Sequence, residues 1–176
     1  DIPRGLFNLV MGTGSSIGQA LVESPMVHAI SFTGSYDVGL QIEGAAAKNL
    51  TKFQLELGSK NHLVVMDDAD IEVAVAAATG GAFGSTGQKC TASSRLVVHE
   101  SIHDEFVDRM KKSTSELKVG HALEEGTQIG PASSEEQLAS NLKYMDLARQ
   151  EGCEVVCGGE HLELKTPGFY MQPALL

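Results

Sequence analysis

Apolar and polar positions along this chain fall into short blocks, and the period changes from one block to the next. FNLVMG (7–12) is a compact apolar run ending on glycine, the pattern of a short buried strand. GSSIGQALVE continues at helical spacing, with Ile17, Leu21 and Val22 on one side. VHAISFTGS (27–35) predicts a second strand, and DVGLQIEGAAAKN a second helix with Val38, Ile42 and Ala45 in phase. FQLELG (53–58) and HLVVM (62–66) predict two more strands. Strands and helices taking turns at such short intervals are the mark of a parallel sheet covered by helices.

Asp70 then stands where a helix N-cap belongs, ahead of IEVAVAAATGGAF. A strand core at Arg95–His99 follows, and SIHDEFVDRMKKSTSELK repeats Ile102, Phe106, Met110 and Leu117 at helical period. GHALEEGTQIGP (120–131) is a run of turn formers and predicts a loop. SEEQLASNLKYMDLARQEG predicts a helix closed by Gly152, CEVVCGG a strand, and the residues from Glu160 onward an irregular tail. No repeat, low-complexity tract or linker interrupts the sequence.

Composition narrows the picture. The 176 residues have the length of one ordinary domain, and 42% hydrophobic with 20% charged residues is the balance of a folded core. A formal charge of −10 with no Lys/Arg-rich patch argues against a nucleic-acid or membrane partner. No apolar run nears the roughly 18 residues that span a bilayer, and the first residues lack a leader pattern. Three cysteines leave one unpaired under any scheme, which suits a reducing compartment, so a cytoplasmic setting is expected. The chain opens at Asp1 without a methionine and stops at PALL, so a piece of a longer polypeptide is expected.

Four features carry candidate chemistry. GTGSSIG (12–18) joins a predicted strand to a predicted helix, where glycines admit a ligand to the backbone and the first helical amides attract an anion. The same spacing also suits a plain tight turn. FTGSYDVG (32–39) repeats the arrangement with Gly34 and the Ser35 hydroxyl, fit for a pyrophosphate or for packing alone. Glu56, between Leu55 and Leu57, is either a solvent-facing carboxylate or one held beside a site. Cys90, in GSTGQKCTASSR, lies among small and hydroxyl residues with cations on both sides, unlike an inert buried cysteine. Gly87 gives it access and Lys89 or nearby N–H groups favour its anion, so it reads as a nucleophile or as an idle surface thiol. No metal site is expected: Cys153 and Cys157 lack a second pair, and the histidines are scattered.

Taken in order, FTGS, LELGSK and FGSTGQKCTASSR resemble the NAD(P)-dependent aldehyde dehydrogenase superfamily. The separation of the acid at 56 from the thiol at 90 matches, as do DDADIEVAV between them and LKVGHALEEGTQIGP after them. The resemblance runs over essentially the whole chain. It implies an α/β fold in which the second half of a Rossmann-like parallel sheet runs into the first part of a catalytic α/β domain. Residues 1–55 would then be a partial NAD(P)-binding domain and residues 56–176 a partial catalytic domain.

By the same resemblance, Cys90 matches the catalytic nucleophile and Glu56 the general base for the hydrolytic water. Gly34, Ser35, Tyr36, Asp37, Val38 and Gly39 match the nucleotide-binding turn, and Gly12 and Gly14 the preceding turn along the cofactor cleft. Leu57 and Gly58 match the stretch near the nicotinamide. The implied cofactor is NAD or NADP, the substrate a small aldehyde, and the full-length assembly a homo-oligomer. One departure stands out: the family usually writes ELGGK, and Ser59 replaces its second glycine. ELGSKN with GQKCTASSR is similar to the branch acting on 2,5-dioxopentanoate (α-ketoglutaric semialdehyde).

The family's oxyanion-hole asparagine, its ribose-contacting lysine and its downstream glutamate have no counterpart here, so the isolated chain is expected to be inactive. Two other readings remain. An acylating relative that passes the thioester to coenzyme A typically lacks the base that Glu56 matches. A non-catalytic truncated or structural piece would keep the fold alone.

Overall fold

Two parallel strand pairs, each joined by a helical crossover, organise the computed structural model, which describes residues 2–176. The residues up to Gly58 form one unit and those from Ser59 a second.

In the first unit, a wide turn at Gly14–Gly18 leads into a short helix α1 (Gln19–Glu23). Thr13 starts it, its hydroxyl accepting from the Ser16 N–H at 3.2 Å. Strand β1 (Ala29–Gly34), helix α2 (Tyr36–Asn49) and strand β2 (Lys52–Leu57) follow as a β-α-β crossover. Ile30 pairs with Phe53 and Gly34 with Leu57 in parallel register. Helix α2 begins because Ser35 caps it, accepting from the Val38 N–H at 3.4 Å. It ends where Leu50 turns left-handed at φ 53°. Gly39, Ile42 and Ala46 form its buried stripe, the 3–4 spacing of a helix laid on a sheet. Val38, expected in that stripe, is partly exposed and Ala45 half-buried, so the buried stripe is rotated by about one position.

The run FNLVMG is not a strand. It joins no strand ladder, with Phe7 80% and Leu9 75% exposed. Among the described residues β1 pairs only with β2, so no ladder receives the backbone groups of 7–12.

The second unit repeats the crossover with strand β3 (Asn61–Val65), helix α3 (Ile71–Phe83) and strand β4 (Ser93–Val98). Asp70 caps α3 as expected, its carboxylate accepting from the Glu72 and Val73 N–H groups at 3.0 and 3.2 Å. Leu63 pairs with Leu96 and Val65 with Val98. Helix α4 (His103–Ser115) packs against α3, and Val65, Val75, Ala78, Phe106 and Met110 close a core between sheet and helices. Leu117 lies beyond the end of α4 and is half-buried. Phe106 is 1% exposed, so Phe106→Ala empties a site walled by both helices. The expected loss is about 3–5 kcal/mol of stability, read as a lowered urea midpoint; a midpoint within error of the parent would refute this core.

Helix α5 (Glu135–Gln150) starts at Ser134, whose hydroxyl accepts from the Gln137 N–H at 3.2 Å. It stops before Gly152, which has φ +82°. CEVVCGG forms no strand of its own. Cys157 makes a single antiparallel bridge with Leu175, whose carbonyl also accepts from the Val156 N–H, and Gly158 and Gly159, at φ +71° and +86°, turn the chain out of the extended region. The tail is more regular than expected: strands β5 (His161–Leu162) and β6 (Tyr170–Met171) pair antiparallel and bury Tyr170. Among the described residues no helix is long and apolar enough to cross a membrane.

Candidate active site

Helix α3 runs out at Phe83, and the chain does not relax into an ordinary loop. Ser85 (φ 55°, ψ 39°), Thr86 (φ 61°, ψ 24°) and Gly87 (φ +66°) are three consecutive left-handed residues. Each non-glycine residue there costs roughly 1–2 kcal/mol, and a β-branched one is the worst placed. Such a conformation persists only where neighbours hold it. Thr86 Oγ1 accepts from the Gly130 N–H at 3.0 Å. Gln88 Oε1 accepts from the Ser133 N–H at 2.9 Å, and Gln88 Nε2 donates to the Pro131 carbonyl at 3.3 Å. The segment 130–133 therefore grips the loop by two side chains. Gly87 is the least replaceable of the three: a Cβ there would lie 2.8 Å from the Ala82 carbonyl, a clash added to the strain of its left-handed φ.

Cys90 follows in a turn closed by the Ala92 N–H donating to the Lys89 carbonyl at 3.1 Å. Its thiol is free and exposed. On the other side of the turn stands Asn61, the first residue of β3. Its Nδ2 donates to the Cys90 carbonyl at 2.7 Å and to the Ala92 carbonyl at 3.2 Å. An irregularity follows at once, since Asn61 pairs with Ser93 but His62 with Arg95, leaving Ser94 as an extra residue. Cys90 thus lies where the connection from α3 enters β4, at the same end of the sheet as the start of β3. Asn61, Thr86 and Gln88 were not singled out in the sequence. A polar amide immediately before the predicted strand HLVVM is the one signal the sequence offers.

In the first unit, Glu56 is the penultimate residue of β2, with an exposed side chain. Gln54, two positions earlier on the same strand face, donates to Glu56 Oε1 at 3.1 Å. Leu57 ends the strand, its methyls against Gly39: a Cβ on that glycine would stand 2.9 Å from Leu57 Cδ1. Gly39 therefore answers to close packing of α2 on β2. Gly58 follows the strand in the open. Gly34 closes β1, and the Ser35 hydroxyl is engaged in capping α2. Tyr36 and Asp37 stand exposed in the first turn of that helix.

Gly12 lies in the unpaired stretch with Ile17 folded against it, whereas a Cβ on Gly14 would meet nothing within 4 Å. Gly14 and Val38, one from each glycine-bearing turn, line one cavity of about 370 Å³ together with Leu21, Val22, Ile30 and Ile42. The structure thus brings the two turns to a shared, largely apolar hollow beside the start of α2.

Residues 1–176 match the aldehyde dehydrogenase family. The chain is 44% identical over 176 residues to an α-ketoglutaric semialdehyde dehydrogenase of Bacillus subtilis, covering 99% of this chain and 36% of that protein. It is 39% identical to a chloroplastic betaine aldehyde dehydrogenase of Atriplex hortensis, covering 99% and 35%. Among solved structures, a betaine aldehyde dehydrogenase from Staphylococcus aureus in complex with NAD+ superimposes with a TM-score of 0.95 at 35% identity, over 98% of this chain and 35% of that one. An NADP-dependent enzyme from E. coli superimposes at 0.92 and 35% identity, over 98% and 36%. The chain spans about a third of the length of these relatives. Sequence and fold agree along the whole of it, and the chain belongs to the aldehyde dehydrogenase family.

Proposed function

We propose that this chain supplies the nucleotide-binding turns, the nucleophile and the general base of an NAD(P)-dependent aldehyde dehydrogenase that oxidises a small aldehyde to its carboxylic acid. Residues 1–55 belong to a partial NAD(P)-binding domain and residues 56–176 to a partial catalytic domain. The observation that carries the reading is Cys90: a free, exposed thiol on a loop fixed from two sides, within a chain that matches the family throughout.

The first unit suits a dinucleotide. The hollow beside Gly14 and Val38 is apolar enough for a flat base, and the open side of Gly14 lets a ligand approach the backbone. The start of α2 presents amides to a phosphate, with Gly34, Ser35, Tyr36, Asp37 and Gly39 around it. Gly12 belongs to the first turn, and Leu57 and Gly58 to the nicotinamide end. When bound, the nicotinamide supplies the hydride acceptor.

The chain's own residues do the rest. The Cys90 thiolate adds to the aldehyde carbon, forming a C–S bond and sending the carbonyl electron pair onto oxygen. The Cys90 backbone N–H is assigned, in this reading, to stabilise that oxyanion. Loss of hydride from the same carbon leaves a thioester on Cys90. Glu56 takes a proton from water, which adds to the thioester carbon; the C–S bond breaks and thiolate departs from the acid. Sulfur serves both halves, as a good nucleophile and a good leaving group.

GQKCTASSR and the similarity to the B. subtilis dehydrogenase favour an α-ketoglutaric semialdehyde-like substrate. A cytoplasmic homo-oligomer belongs to the same reading. The test is differential alkylation. Cys90 and Cys153 are both exposed, so exposure alone does not separate them. With iodoacetamide at neutral pH, Cys90 is expected to react roughly tenfold faster than Cys153; equal rates would remove the nucleophile.

A further inference from the structure

We infer that Asn61 is the positioning residue for Cys90, its side-chain amide setting the peptide that follows the thiol. This rests on the reading of Cys90 as the nucleophile. Two carbonyls of the thiol's own turn, those of Cys90 and Ala92, point at one Asn61 Nδ2. The parallel register begins only at Asn61–Ser93 and is broken immediately afterwards, so it runs through neither Cys90 nor Ala92. The Asn61 amide makes bonds to those two carbonyls instead.

The geometry is specific to an amide. Nδ2 carries two hydrogens in a fixed plane, one for each carbonyl, and the bonds bracket Thr91. Bracketing restrains ψ of Cys90 and ψ of Ala92, while Thr86 and Gln88 restrain the chain on the approach to Cys90. The thiol is thereby held between two anchored segments although its side chain is in solvent. A nucleophile gains from this, because small misplacement of a reacting atom is expensive in rate. Aspartate in the same place would turn acceptors toward acceptors, serine would keep one donor, and alanine none.

A plain backbone-satisfying role predicts something different from positioning, and alkylation separates them. The experiment measures iodoacetamide rates at Cys90 and Cys153 between pH 6 and 9 in the parent chain, Asn61→Ala and Asn61→Ser. Amide hydrogen exchange across α4 monitors the fold. Positioning predicts that the Cys90:Cys153 rate ratio falls from roughly tenfold to near one in Asn61→Ala, with an intermediate value in Asn61→Ser. Under positioning, the fall comes from the Cys90 rate alone at every pH, while the Cys153 rate and α4 protection stay put. A parental ratio retained in both variants overturns the inference and leaves the nucleophile reading intact. A parental ratio near one removes the nucleophile and this inference with it. If Asn61→Ala loses α4 protection, Asn61→Ser decides alone: a reduced ratio supports positioning, and an unchanged one refutes it.

Discussion

Cys90→Ser, placed in a polypeptide of full family length that carries this chain, is expected to lower aldehyde oxidation on the order of 10⁴-fold or more. The exchange keeps size and hydrogen bonding but replaces sulfur with the far less nucleophilic oxygen of a hydroxyl. A hydroxyl needs an adjacent base to become a nucleophile, and Glu56 is assigned to water in the second half of the reaction. Because Cys90 is exposed, the variant's stability stays within about 0.5 kcal/mol of the parent, so lost activity cannot be put down to lost fold. Initial rates with saturating aldehyde and NAD(P) make the measurement. A serine variant keeping a tenth of the parental rate would exclude the thioester route.

Glu56→Gln is expected to split the two halves of the same reaction. Glutamine matches the carboxylate in shape and can still meet Gln54, but it takes no proton at neutral pH. Rapid mixing then shows a burst of about one reduced nicotinamide per active site, followed by a steady state roughly 10²–10⁴-fold slower, as thioester accumulates on Cys90. The burst distinguishes a base acting on water from one that activates the thiol. If the first turnover slows as much as the steady state, Glu56 serves the addition step and its assigned role is wrong.

The parts of this fold that local chemistry decides were legible. Asp70 caps the helix that the change of period announces, and the helices expected after Gly34 and from Ser134 form where the periodicity put them. Leu63 and Val65 face inward with Val64 out, as alternation requires. What was not legible depends on distant partners. Residues 7–12 have the composition of a strand, but composition cannot say whether a neighbouring strand accepts their backbone. The two-residue strands β5 and β6 are too short for any period, and only their meeting defines them. CEVVCGG was lost to two glycines whose sign of φ the sequence does not display.

The site divides in the same way. Cys90 could be singled out by its neighbours in the chain, and the two glycine-bearing turns by their spacing. The grip on Thr86 and Gln88 comes from residues more than forty positions further on, and Asn61 acts from about thirty positions before. Propensity even misdirects at Thr86, since a branched side chain argues against the left-handed backbone it adopts.

That backbone gives the three residues before Gln88 unequal latitude under mutational drift. Gly87 is frozen on two counts, by torsion and by the carbonyl of Ala82. At Ser85 a glycine or asparagine would ease the torsion. At Thr86 the same exchange would also release the grip on Gly130, so relief and loss offset one another. Lineages of this chain can therefore wander most freely at the position farthest from the sulfur and least freely as they approach it.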